Sequence, residues 1–304
     1  MKRNNNLALF PTSILTLALI TIFSTICFAQ DEVISVDSEI VVLNATVTDT
    51  SGKPFENLQE RDFTVFEDGI QQKLAFFETQ KTPFAAVILI DTSGSMESRV
   101  TLARAAAIKF LAGLRAQDSA AIYNFDSDVS LVQDFSNLRE LNYHAFDLKA
   151  DGMTVLFDAI TKAAELLSTR SEKRRAIVVL SDGADTRSRL SSKTALNAAI
   201  AANATIYTVD MSSIDTGGGQ ARAQNRGILK NFAEKTGGKF ISTPGGLEMR
   251  KAFEFVVEEL GSQYTFGYEP SNLKRDGKWR TIEVKLSNQK LSIRTRQGYS
   301  MNKK

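Results

Sequence analysis

From Phe84 onward, short apolar segments alternate with amphipathic helical segments, and this alternation restricts the fold more than any other feature of the chain. The clearest strand candidates are AAVILID, AIVVLSDG and TIYTVD. Between the strand candidates, VTLARAAAIKFLAGL and TVLFDAITKAAELL place their apolar side chains on one helical stripe. Short strands joined through such helices favour an α/β fold with an open, mainly parallel sheet that helices cover on both faces.

Segments of strand character flank this α/β region on both sides. VISVDSEIVVLNATVTD, RDFTVFEDG and QQKLAFFET precede it, and QYTFGYE, RTIEVKLS and LSIRTRQ follow it. The second group is too short to form a sandwich alone, so we expect it to complete the sheet that the first group begins. The predicted division is residues 30–82 for one half of a split antiparallel β-sandwich, 83–262 for the inserted α/β domain and 263–304 for the completing strands.

Two groups of side chains are predicted to have structural roles. The aromatic residues Tyr264, Phe266, Tyr268 and Trp279 alternate on strands and are expected in the core or on a sheet face. The basic cluster Lys173-Arg174-Arg175 is expected to be solvated.

The N-terminal 29 residues have the pattern of a secretory signal peptide. Two basic residues precede an apolar run, and Cys27 and Ala29 are the small residues at the predicted cleavage site, with Gln30 as the first mature residue. An uncleaved membrane anchor is the alternative, because the apolar run is about long enough to span a bilayer. Lipid attachment at Cys27 fits less well, since Ile26 stands where a small residue is usual. We therefore expect an exported protein without disulfides, located in the periplasm, in the cell envelope or outside the cell.

The charge balance does not point to a strongly charged partner. Without Lys2 and Arg3, 35 basic residues stand against 35 acidic ones. This balance gives no reason to expect nucleic acid or an anionic membrane surface as a partner, so contact with a membrane is expected only through an uncleaved N-terminal segment.

Small oxygen-bearing side chains follow the first parallel strand. Asp91 ends AAVILID, and Ser93 and Ser95 follow at alternate positions. In a sheet of this type, ligands bind where the strands end at their carboxyl side. Thr154 before the second long helix and Asp182 at the end of AIVVLSD would lie at the same edge. One set of carboxylate and hydroxyl oxygens from three loops suits Mg²⁺, Ca²⁺ or Mn²⁺ better than zinc.

The pattern DTSGS, with a later Thr and a later SDG, resembles the metal-ion-dependent adhesion site of von Willebrand factor type A domains, over about Phe84 to Gln263. The flanking segments resemble those of a bacterial group of VWFA-related acidobacterial proteins. The resemblance implies a Rossmann-like domain whose metal ligands are Asp91, Ser93, Ser95, Thr154 and Asp182. It also implies an incompletely coordinated ion that takes a carboxylate from a protein partner, in adhesion or assembly. The usual small pair before the Thr is replaced here by Gly152-Met153.

Other interpretations of the same residues remain. DTSGS could simply cap a helix, with Ser93 or Ser95 accepting a hydrogen bond from a first-turn amide. The metal could also serve only to stabilise the fold of an envelope scaffold. A hydrolase is the third reading, but an aspartic protease needs a second matching loop. For serine hydrolysis, the chain offers a single histidine, His144, and no GxSxG motif. A non-enzymatic role is therefore expected.

Overall fold

Strand β5 (Phe84–Asp91) lies at the centre of a six-stranded sheet in the computed structural model of the chain. The structure describes residues 40–79, 82–138, 152–212, 219–242 and 247–301, without the side chains of 247–250. The other strands of this sheet are β6 (Ser119–Phe125), β7 (Val129–Ser136), β8 (Arg174–Ser181), β9 (Ala204–Asp210) and β10 (Phe240–Ser242). Their order is β10-β9-β8-β5-β6-β7, and all neighbours pair in parallel except β7, which is antiparallel to β6. The carboxyl ends of the parallel strands therefore share one edge.

Helices cover both faces of this sheet. They are α1 (Val100–Ala112), α2 (Leu156–Ser168), α3 (Ser192–Ala201), α4 (Gly219–Thr236) and α5 (Leu247–Ser262). Alternate side chains of β5 enter two separate cores: Ile88 packs with α1 and α5, whereas Val87 packs with α2, α3 and α4. Burial of β5 on both faces explains why its sequence is a continuous apolar run.

Strands from both ends of the described chain form two further four-stranded sheets. They are β1 (Val41–Thr48), β2 (Phe63–Glu67), β3 (Ile70–Gln72), β4 (Leu74–Glu78), β11 (Tyr264–Tyr268), β12 (Trp279–Leu286), β13 (Ser292–Arg294) and β14 (Gly298–Ser300). One sheet has the order β13-β1-β11-β4 and the other β14-β12-β2-β3. The two sheets share one core, in which the ring of Phe63 lies 5.2 Å from that of Tyr264 and 5.3 Å from that of Phe266.

The predicted fold class is confirmed: a helix-covered, mainly parallel sheet is accompanied by antiparallel sheets built from strands on either side of it. Glu39–Lys304 forms one compact unit, and the domain boundaries at residues 82 and 262 stay predictions. The predicted signal peptide, residues 1–29, and His144 lie outside the described residues. Among the helices that the structure describes, none has the length and apolar character needed to cross a membrane.

Several details differ from the sequence-based expectations. Arg174 is fully buried rather than solvated, because β8 begins at this residue and its guanidinium donates to Thr265 Oγ1 of β11 at 2.7 Å. Helix α4 begins at Gly219, well before the apolar residues that indicated it. Tyr264, Phe266 and Tyr268 are core residues, whereas Trp279 is 42% exposed on a sheet face.

Candidate metal centre

The first loop of the candidate site is organised around one buried carboxylate. Asp91 is the last residue of β5 and is fully buried. Its Oδ1 accepts hydrogen bonds from the backbone N of Ser93 at 3.0 Å and from Ser93 Oγ at 2.6 Å. Ser93 Oγ in turn lies 3.2 Å from the exposed Ser95 Oγ. Three of the predicted ligands therefore form one connected group at the carboxyl edge of the sheet.

The second carboxylate comes from the neighbouring strand. Because β8 pairs in parallel with β5, Ser181 lies beside Asp91 and its Oγ donates to Asp91 Oδ2 at 2.6 Å. The backbone N of Gly183 donates to Ser181 Oγ at 2.9 Å, which fixes this hydroxyl. Half-buried Asp182 follows directly, with its Oδ1 accepting from the N of Ala184 at 3.0 Å. Ser181 was not among the predicted site residues, although its position directly before the predicted ligand Asp182 was a usable signal.

Thr154 reaches the same edge through the loop before α2. It is buried, and its backbone N donates to Thr186 Oγ1 at 2.9 Å. Its carbonyl O accepts from the backbone N of Thr186 and of Arg187, both at 3.0 Å. The loop that carries Thr154 is therefore fastened to the segment that follows Asp182. The Thr154 loop also lies close to the loop that carries Ser93 and Ser95. The carbonyl O of Gly152 would lie 3.8 Å from a Cβ added at Gly94.

The unusual pair Gly152-Met153 is accommodated by Ser127, in the turn after β6. A Cβ at Gly152 would lie 2.5 Å from Ser127 Oγ, and the same oxygen accepts from the backbone N of Met153 at 3.2 Å. Met153 itself is half exposed. The larger side chain therefore stays at the surface and does not displace Thr154 from the core.

Two further aspartates at this edge have structural partners. Asp185 accepts from the backbone N of Phe157 at 3.0 Å and from Ser188 Oγ at 2.5 Å. Asp158 accepts from the backbone N of Arg189 at 3.0 Å. Both carboxylates join the first turn of α2 to the loop after β8, so they fix the spacing between the Thr154 and Asp182 loops. The sequence alone did not indicate this role for either residue.

Electrostatics make the ionised form of Asp91 unfavourable. Burial raises the pKa of Asp91 to about 6, while hydrogen bonds from Ser181 and Ser93 lower it and the negative charge of Asp182 raises it. Asp182 therefore acts on Asp91 across the space between the two loops. A buried carboxylate beside a second negative charge is an environment that a bound cation would stabilise.

The donor set fits a hard divalent ion. Among the residues that the structure describes, no three His, Cys, Asp or Glu side chains are grouped in a way that could hold a metal. A metal at this edge would therefore depend on hydroxyl oxygens in addition to Asp91 and Asp182, and Ser93, Ser95 and Thr154 supply them. Carboxylate and hydroxyl oxygens suit Mg²⁺, Ca²⁺ or Mn²⁺. The assignment of all five as ligands stays a prediction.

Residues 86–184 match the family model of the von Willebrand factor type A domain. No curated protein matches the sequence.

Several solved structures match part of this chain at low sequence identity. A von Willebrand factor type A protein from Catenulispora acidiphila is 12% identical, with 81% of this chain and 76% of that chain covered and a TM-score of 0.49. A D319A mutant of the minor pilin PilB from Streptococcus sanguinis is 16% identical, with 60% of this chain covered and a TM-score of 0.47, and the match spans 62% of the pilin chain. The vWF domain of the type V pili tip protein Mfa5 from Porphyromonas gingivalis is 15% identical, covers 60% and 95% of the two chains and has a TM-score of 0.47. Similarities of this size do not extend to function.

The matched region begins inside β5 and ends just after Asp182, so it contains the strand ends that carry the candidate site. Together with the helix-covered, mainly parallel sheet, this match identifies the chain as a protein that contains a von Willebrand factor type A domain.

Proposed function

We propose that this chain is an exported bacterial protein that binds another protein through a divalent metal ion at the carboxyl edge of its central sheet. Asp91, Ser93, Ser95, Thr154 and Asp182 would hold the ion, with Mg²⁺ as the preferred species and Ca²⁺ or Mn²⁺ as alternatives. The partner would present a carboxylate as a further ligand. The setting would be adhesion or assembly at the cell envelope.

The connected group of Asp91, Ser93 and Ser95 is the observation that supports this proposal most strongly. A helix cap would need only one hydroxyl facing a first-turn amide. Here Ser93 instead donates through Oγ to the buried Asp91. Neither the 3-10 turn Gly94–Met96 nor α1 begins with a side-chain cap hydrogen bond. The hydroxyls are therefore organised around the carboxylate, which is what a cation site requires and a capping motif does not.

The exposure of the five side chains supports binding of a partner at the same ion. Asp91, Ser93 and Thr154 are buried, whereas Ser95 is exposed and Asp182 is half buried. One side of the site is thus closed by the sheet and the other is open to solvent. When bound, a divalent ion in such a site supplies an electrophilic position for a carboxylate oxygen. The two carboxylates among the five proposed ligands would balance the ion's charge, so the partner carboxylate would be taken up by the coordination position that the five ligands leave open.

An envelope scaffold whose metal only stabilises the fold is the alternative from another functional class. The two proposals differ in where the metal acts. In a scaffold, removal of the ion lowers stability and leaves partner capture unchanged. In a binding protein, removal of the ion abolishes capture at temperatures where the fold is intact.

The test is a pull-down from the native envelope with the purified chain, in Mg²⁺ and again with chelator. Asp182→Asn removes one proposed ligand charge from a half-buried position, so the fold should persist. Asp128→Asn is the matched control, because Asp128 is an exposed aspartate in the β6–β7 turn that belongs to no proposed ligand set. Circular dichroism of each variant verifies the fold.

We expect capture of a partner by the wild type and by Asp128→Asn in Mg²⁺. Capture should be lost in chelator and in Asp182→Asn. Equal capture with and without metal would contradict the proposal. A fall of the thermal midpoint in chelator with unchanged capture would favour the scaffold. Turnover of a substrate that disappears with Asp91→Ala would instead favour an enzyme.

A further inference from the structure

A large cavity lies between α3 and the strands at the carboxyl end of the described chain. Its volume is about 810 Å³, and it shares no lining residue with the candidate metal centre. Lys193 and Ile200 line it from the side of α3, and Arg296, Trp279, Tyr299 and Met301 line it from the opposite side. No aspartate or glutamate is among its described lining residues, whereas Lys193 and Arg296 are both cationic. The cavity therefore has a positive character that the balanced overall composition does not indicate.

Arg296 has guanidinium nitrogens without a hydrogen-bond acceptor among the described residues. It is only 9% exposed, and its Nη1 donates to the carbonyl O of Ile200 at 3.2 Å and to Asn203 Oδ1 at 2.9 Å. Its Nε is buried and has no hydrogen-bond partner in the part of the chain that the structure describes. Both hydrogen bonds thus leave from Nη1. Nη2 also has no acceptor among the described residues and, unlike Nε, is not fully enclosed.

No carboxylate of the described residues forms an ion pair with Arg296. Burial lowers the pKa of Arg296 to about 10, and the groups that oppose this effect are the phenols of Tyr268 and Tyr299. The guanidinium carbon lies 5.4 Å from the centre of the Tyr299 ring. Buried cations in proteins are normally paired with an anion. The two other buried arginines of the described residues differ: Arg280 pairs with Glu67, and Arg174 donates to the backbone carbonyls of Thr79 and Thr82.

A flat apolar surface lies on the same cavity. Trp279 is 42% exposed, and its indole packs directly on the backbone of Gly298, where an added Cβ would lie 2.6 Å from the ring. Only glycine leaves room for the ring at this distance. The indole is therefore held in place at the cavity wall with one face partly open, together with apolar surface from Ile200 and Met301.

We propose that this cavity binds a small organic anion that carries a carboxylate on a flat apolar body. The carboxylate would accept a charge-assisted hydrogen bond from Nη2 of Arg296, because Nε has almost no accessible surface. The apolar body would lie against Trp279. Exposed Lys193 would attract the anion to the opening. This site is independent of the metal centre and of the proposed partner binding.

Trp279 is the only tryptophan of the chain, so its fluorescence reports on this cavity directly. The full chain is titrated with 3-phenylpropionate, which has a carboxylate on a phenyl-bearing chain. The neutral isostere 3-phenylpropionamide serves as the ligand control. Arg296→Met removes the buried charge, and Arg61→Met replaces an exposed arginine outside the cavity as the matched protein control. Calorimetry provides a second readout that does not depend on the indole.

We expect saturable binding of 3-phenylpropionate to the wild type and to Arg61→Met. The amide and the Arg296→Met variant should each bind at least about tenfold more weakly, because a charge-assisted pair is lost. Lys193→Gln, an exposed change that leaves the fold intact, should weaken binding about two- to threefold.

Two results would overturn the proposal. One is equal affinity for the carboxylate and the amide. The other is no saturable binding of 3-phenylpropionate up to about 10 mM, the weakest affinity expected for a ligand of this size. If Arg296→Met does not fold, the comparison of carboxylate with amide on the wild type and on Lys193→Gln decides the question.

Discussion

The substitution Arg174→Met should destabilise the protein strongly, because Arg174 joins three parts of the chain. Its Nε donates to Thr265 Oγ1 at 2.7 Å, on β11. Its Nη1 donates to the carbonyl O of Thr82 at 3.2 Å and its Nη2 to the carbonyl O of Thr79 at 2.7 Å, both in the segment between β4 and β5. Nη2 also donates to the carbonyl O of Gln263. The central sheet is thereby fastened to the antiparallel strands.

The magnitude follows from two opposing contributions. Hydrogen bonds from a charged donor contribute about 1.5–3 kcal/mol each, and Arg174→Met removes at least four of them. Burial lowers the pKa of Arg174 to about 10, which corresponds to roughly 3 kcal/mol of opposing free energy. The acceptor oxygens, left buried without donors, add a further cost. We therefore expect the free energy of unfolding to fall by about 3 kcal/mol or more.

Urea denaturation followed by circular dichroism and by Trp279 fluorescence measures this change. Arg61→Met is the matched control, since Arg61 is exposed and its substitution should change the free energy of unfolding by no more than about 0.5 kcal/mol. If Arg174→Met unfolds within about 1 kcal/mol of the wild type, the buried guanidinium does not fasten the sheets and the reasoning is wrong.

Two further predictions concern a glycine of the candidate site and a buried phenol. Gly183 has φ +81°, and an added Cβ would lie 2.7 Å from the carbonyl O of Asn225, so Gly183→Ala should lower the free energy of unfolding by roughly 2–3 kcal/mol in urea denaturation. Gly69→Ala, at φ +80° with no atom within 4 Å, should lose only about 1 kcal/mol, and equal losses would contradict the steric argument. Burial, together with hydrogen bonding to Glu67, raises the pKa of Tyr299 to about 12, whereas an unfolded phenol ionises near pH 10. Stability should therefore hold up to about pH 10 and fall as the pH rises toward 12. Tyr299→Phe should reduce that fall by roughly 1.4 kcal/mol per pH unit, and identical slopes in urea titrations at alkaline pH would refute this.

The fold was largely predictable because the faces that a strand or helix buries determine the spacing of its apolar residues. Strand β5 is apolar throughout since both of its faces are covered, and α2 shows a clear apolar stripe since only one face is buried. The long polar beginning of α4 shows no apolar pattern, because the buried residues of that helix begin only at Leu229. Strand β14 is only three residues long, which is too short for a pattern.

The placement of the candidate ligands was predictable for a related reason. Parallel strands put their carboxyl ends at one edge, so Asp91 and Asp182 are brought together by topology alone. What supports them was not predictable. The hydrogen bond from Ser181 to Asp91 depends on strand register, and the contacts of Asp185 and Asp158 depend on loop conformations.

Burial of single polar residues was the least predictable feature. The triplet Lys173-Arg174-Arg175 has the composition of a solvated loop, yet Arg174 is buried where β8 meets β11. Arg296 lies in an equally polar stretch and is also buried. In both cases the reason is contact between segments far apart in the chain, which local sequence does not encode.

Equilibrium dialysis with Mn²⁺ tests the central claim most directly, because the claim is that side chains from three loops hold a single ion. The wild type and the control Asp128→Asn should bind one Mn²⁺ per chain. Thr154→Val and Asp182→Asn change one proposed ligand in each of two different loops, and each should weaken binding at least about tenfold. Undiminished binding in both variants, or no binding by the wild type, would contradict the account.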